Sequence, residues 1–91
     1  MSGTITSGMD IGQVRQLATY MNGAADEIRR LSQQITSKLQ GTPWVGPDRQ
    51  RFESDWTGRH VQQLNTVVQA LQDASRVANT NAQEQEAASN R

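Results

Sequence analysis

Between residues 11 and 39, apolar side chains recur at helical spacing: Ile11, Val14, Leu17, Met21, Ala24, Ile28, Leu31, Ile35 and Leu39. Val14, Met21, Ile28 and Ile35 repeat every seven residues, and Leu17, Ala24 and Leu31 form the second row of a heptad seam. Gln, Arg, Ser, Thr and Asp fill most positions between them, as a solvated helix face requires. Asp10, with Gln13 three positions on, has the form of an N-cap with a capping box. Glycine inside a helix costs ~1 kcal/mol relative to alanine, so Asn22-Gly23 could interrupt the run, but the stripe keeps its phase across it. The pattern therefore predicts one helix over 10–40. Gly41 stands where a left-handed C-cap belongs, and Pro43 biases Thr42 away from helical geometry, so the helix stops there.

Gly46-Pro47-Asp48 marks the next start, because proline is favoured at the first helical position and an acidic residue complements the positive end of the helix dipole. The second stripe runs through Phe52, Trp56, Leu64, Val67, Val68, Leu71, Ala74, Val77 and Ala78, then fades into "NTNAQEQEAASNR". The expected organisation is a flexible segment over 1–9, a helix over 10–40, a turn over 41–46, a helix over 47–79 and a fraying or disordered tail over 80–91. Two long amphipathic helices joined by a short turn make an all-α antiparallel hairpin. The apolar rows are wider than a two-helix seam needs near Ala18, Ala24, Ala25 and Val67-Val68. Two hairpins pairing into a four-helix bundle would cover them, and the alanines would permit close helix approach.

Composition strengthens the case for a partner. Only 34% of the 91 residues are hydrophobic and 4% aromatic, a poor supply for a lone globule of this size. Nine basic residues balance nine acidic ones, and Arg49, Arg51 and Arg59 are interleaved with Asp48, Glu53 and Asp55. That removes the positive field and aromatic platform expected of a nucleic-acid binder. There is no cysteine and a single histidine, His60, so neither a disulfide framework nor a metal site is expected. The acidic pairs Asp26-Glu27 and Glu84/Glu86 read as solvated faces, no phosphate-binding loop occurs, and the chain is expected to be non-enzymatic and without cofactor. His60 follows Trp56 by one turn, as Trp56 follows Phe52, placing it at the edge of the stripe either as a structural residue or as a pH-sensitive contact. The first nine residues, "MSGTITSGM", have no basic and apolar leader, and no stretch approaches the ~20 apolar residues of a membrane span, so neither a cleaved signal peptide nor stable membrane insertion is expected.

Both tryptophans are followed two positions later by glycine: Trp44-Val45-Gly46 and Trp56-Thr57-Gly58. Trp44 lies in the turn, where its ring can fold over the helix ends, be presented to another protein, or do both. Trp56 lies inside the second helix, where it reads as a packing aromatic with a tolerated glycine. The residues expected to pack the hairpin and its dimer are Val14, Leu17, Met21, Ile28, Leu31, Ile35, Leu39, Phe52, Trp56, Leu64, Val67 and Leu71.

This arrangement resembles the WXG family of type VII secretion substrates, the early-secreted-antigen-like proteins. The resemblance covers length, missing leader, two amphipathic helices and the central Trp44-Val45-Gly46, and "GPDRQRFESDW" is similar to actinobacterial members. It implies a secreted, extracellular protein exported without a cleaved signal, as a folded helical dimer, by a membrane-embedded ATPase. The partners implied are a second copy or a paralogous WXG-like protein, together with the type VII secretion ATPase. It also implies a bipartite export signal: Trp44 and Gly46 in the turn, and a Tyr-x-x-x-Asp/Glu sequence in the tail. Here the corresponding tail positions are Asn81 and Gln85, a departure from that pattern, and the only tyrosine is Tyr20 in the first helix. The alternative reading is a cytosolic helical adaptor that pairs with another helical protein.

Overall fold

The computed structural model of the protein describes residues 9–89. Helix α1 spans Ile11–Gln40, and after a short turn α2 spans Pro47–Asp55. A single π-helical turn, Trp56–His60, joins α2 to α3, Val61–Ser89, so that α2, the π turn and α3 form one rod antiparallel to α1. The chain is an all-α hairpin measuring 66 × 18 × 17 Å. Its radius of gyration is 20.1 Å, against about 12 Å for a globule of this length.

Local chemistry explains the ends of the first helix. Asp10 Oδ1 accepts a hydrogen bond from the Gln13 amide at 3.0 Å, satisfying one of the free donors of the first turn. The Asn22-Gly23 pair is accommodated without a break, as the phase of the stripe requires. At the other end Gly41 closes α1 with its amide 3.1 Å from the Ser37 carbonyl. It does so in a right-handed conformation (φ −85°, ψ −1°), not the left-handed one expected. The Thr42 amide then bonds the Leu39 carbonyl and the Thr42 hydroxyl the Lys38 carbonyl, so the carbonyls at the helix end are met without a left-handed residue.

Five of the seven buried seam residues are alanine or serine. Ala18, Ala25, Ser32 and Leu39, seven apart on α1, are buried, and so are Val68, Ser75 and Ala82 on α3. Ser75 Oγ donates to the Ala18 carbonyl at 2.7 Å, so a side chain with one heavy atom beyond Cβ spans the gap to the facing backbone. Backbones that close belong at the short end of the usual interaxial range of about 8–10 Å. The rows expected from hydropathy flank this seam. Val14, Met21, Ile28, Leu64 and Leu71 are half-buried, while Leu17, Leu31, Ile35, Phe52 and Val67 are exposed, and only Leu39 of the expected set is buried.

The second rod continues ten residues past its expected end at 79, and the fraying or disordered tail expected over 80–91 is helix as far as Ser89. Ala82, fully buried, continues the row of Val68 and Ser75 against the first turns of α1, and Glu86 meets Arg15 at 2.7 Å. Alanine and serine carry this packing, which a stripe of large apolar residues does not register. Nearly all of the segment expected to be flexible, 1–9, lies outside the described residues, as do positions 90 and 91.

Candidate recognition surface at the hairpin tip

The turn places Trp44, Val45 and Gly46 at one end of the rod. Gly46 has φ 121° and ψ −178°, a region essentially restricted to glycine, and it is the residue from which α2 starts, with Gln50 donating to its carbonyl at 3.1 Å. A Cβ built at this position meets nothing within 4 Å. Glycine is therefore required by the backbone and not by crowding. Pro47 follows at the first helical position, where its missing N–H costs nothing.

Arg49 holds the turn from the inside. Its Nη1 donates to the Trp44 carbonyl at 2.8 Å and the Thr42 carbonyl at 3.2 Å, and its Nε to Glu53 at 3.3 Å. Its side chain is only 16% exposed, unlike the solvated arginine its neighbours suggested. The Trp44 ring leans on Phe52, centroids 5.4 Å apart at 53°, and stays 37% exposed, while Val45 is 93% exposed. The tip is thus a clamped loop that presents an aromatic pair and an aliphatic side chain to solvent. Replacing Arg49 with methionine, which keeps the stem but not the guanidinium, is expected to cost about 1–2 kcal/mol and to loosen Trp44. Lysine should not restore the loss, because it lacks the planar fork. Chemical denaturation and the Trp44 ring resonances, resolved from those of Trp56 by NMR, would check both.

Away from the tip, the two faces of the hairpin differ. Because the helices run antiparallel, the position just before each seam residue falls on the same side of the hairpin in both. On that side lie Leu17, Ala24 and Leu31 from α1 and Val67 and Ala74 from α3, with Phe52 beside the half-buried Glu53 and the polar Lys38 and Asn81 at the ends of the two rows. The positions just after the seam are Thr19, Asp26, Gln33, Gln69, Arg76 and Gln83, all polar and exposed. The hairpin therefore has one wetted face, with surface ion pairs such as Arg29–Asp26 and Arg76–Asp73, and one apolar face left uncovered. On the apolar side Tyr20, Gly23, Ala24, Glu27 and Ile28 line an open hollow of about 420 Å³.

Asn81 is exposed and Gln85 half-buried at the far end of α3. Asn81 lies thirty-four positions beyond Pro47 along the helical rod, about 50 Å at 1.5 Å per residue, so the fold does not bring the turn and tail positions together within one chain. Phe52, Trp56 and His60 do not act as one cluster: Phe52 turns to Trp44, and the exposed His60 ring sits 6.3 Å from Trp56 and 3.3 Å from Gln63 Oε1. Among the described residues no group of three or more acidic or histidine side chains could hold a metal, and no helix is long and apolar enough to cross a membrane. Compared with protein-family models, curated proteins and solved structures, the chain has no match.

Proposed function

We propose that this protein is a non-enzymatic, WXG-like export substrate, secreted as a folded helical dimer by a type VII apparatus. The observation that carries the reading is the tip. Trp44 is held on a clamped turn that glycine at position 46 alone permits, leaning on Phe52 and still 37% exposed. The uncovered apolar face supports the dimer half of the proposal, since a second hairpin laid on it would bury Leu17, Leu31, Ile35 and Val67 in a four-helix bundle. With the two hairpins antiparallel, the tip of one would lie beside Asn81 and Gln85 of the other, joining signal halves that one chain keeps about 50 Å apart.

In a host with a type VII apparatus, Trp44→Ala is expected to abolish accumulation in the culture supernatant while the protein stays soluble, helical and dimeric in the cell. Gly46→Ala should have the same export phenotype. Wild-type amounts of Trp44→Ala outside the cell would refute the export reading. Retention of the wild-type protein with the cells, whether or not the export ATPase is present, would favour the adaptor reading.

A further inference from the structure

Inward-facing residues step by three or four along α3 (Val61, Leu64, Val68, Leu71) and along α2 (Arg49, Glu53, Trp56), but by five from Trp56 to Val61. A regular α-helix advances ~100° per residue. With Val61 facing α1, an unbroken α-helix would therefore present Thr57, and would swing Trp56, Glu53 and Arg49 about 100° out of the seam. The π turn prevents this. The Val61 amide reaches back to the Trp56 carbonyl, five residues away, and one residue is absorbed within the turn. Trp56 is then directed at α1, where its Nε1 donates to Thr36 Oγ1 at 2.8 Å, and Thr36 in turn donates to the Ser32 carbonyl at 3.0 Å.

We infer that the chain carries one surplus residue between Trp56 and Val61, and that the π turn uses it to make Trp56 a positioning residue for the tip. Locked on Thr36, Trp56 sets the rotation of Pro47–Asp55 about its own axis. That rotation brings Arg49 beneath the Thr42 and Trp44 carbonyls and Phe52 beneath the Trp44 ring. In the unshifted register Arg49 would point away from the turn it clamps. A π turn lacks the regular hydrogen-bond ladder and recurs at functional sites, so its place between the seam and the tip fits a device kept for orientation rather than stability.

Deletion tests this directly. Removing a residue from a long packed helix normally rotates everything on one side of the cut by ~100° and destroys the seam. Removal of Gly58 should instead turn the π turn into an ordinary α turn, leaving Trp56 four places before Val61 and still facing α1. The full-length chain lacking Gly58 is expected to melt at or above the wild-type temperature and to keep its Trp56 indole N–H protected from exchange. Removal of Gln69, an exposed residue of regular α3, should abolish cooperative melting. Equal damage from both deletions, or equal tolerance of both, would overturn the inference. The positioning role has its own readout. Thr36→Val should speed exchange of the Trp56 indole N–H by up to about tenfold, as expected for one lost neutral hydrogen bond, and should shift the Trp44 ring and Arg49 guanidinium resonances. Thr36→Ser should restore them. A drop in melting temperature with unmoved tip resonances would reduce Trp56 to a packing residue and end the proposal.

Discussion

Ala25→Leu is expected to damage the hairpin more than any conservative change on its surface, lowering stability by about 2–3 kcal/mol or more. Ala25 is fully buried in the same row as Ala18, whose carbonyl receives Ser75 Oγ at 2.7 Å. There is no room for three further carbons unless the helices part. Parting them breaks that serine hydrogen bond and strips contacts from Val68 and Ala82, so the cost spreads along the seam. Two to three kcal/mol in a chain of this size lowers Tm by roughly 10–20 °C. The same leucine one position later, Asp26→Leu, falls on the wetted face and removes only a 3.6 Å surface pair with Arg29, so it should stay within about 0.5 kcal/mol of wild type. Thermal melts followed by circular dichroism would separate the two. Similar melts for both would mean that the helices are not held at close approach.

Gly46→Ala should be the most damaging change at the tip, costing about 1–3 kcal/mol, because φ 121° with ψ −178° is closed to a residue with a Cβ. The cost is conformational, since the added methyl group meets no neighbour. The turn can relieve it only by rotating Val45 and Trp44 relative to Pro47, which pulls the Trp44 carbonyl off Arg49. Stability and the Trp44–Phe52 contact should therefore be lost together. Gly23→Ala provides the opposite sign. Gly23 lies in regular helix with nothing within 4 Å of an added Cβ, so alanine there should stabilise by up to about 1 kcal/mol. Urea midpoints for the two variants, read with the Trp44 ring resonances, would check both directions. A Gly46→Ala protein with a wild-type midpoint and unmoved Trp44 resonances would show that the turn tolerates ordinary backbone geometry.

These effects also mark how far the chain could be read without its structure. The 3.6-residue periodicity, Asp10, and Gly46-Pro47 located the first helix to within one residue, the turn, and the start of the second helix, because these are local choices of a few adjacent residues. The end of the second rod is not legible in the sequence. Beyond Ala78 the packing passes to Ala82 and an Arg15–Glu86 pair, whose value depends on what lies across from them. At the tip, Trp44 and Gly46 stood out by residue type and position. Arg49 did not, since an arginine among acidic neighbours looks solvated until the turn folds back over it. A signal for the seam was present in the seven-residue spacing of Ala18, Ala25 and Ser32, but a reading weighted by hydrophobicity ranks serine and alanine below leucine.

An amphipathic helical hairpin with a tryptophan-bearing turn follows from residue order, since periodicity, caps and turn residues act over a few positions. Tertiary structure alone decided which side of each stripe is the seam. Close approach of two backbones selects small side chains for the inside and leaves Leu17, Leu31, Ile35 and Val67 outside. It likewise decided the register of Trp56. A one-residue slip in a continuous helix costs little locally, and the two phases are distinguished by partners distant in sequence: the Thr36 hydroxyl for Trp56, and the Thr42 and Trp44 carbonyls for Arg49.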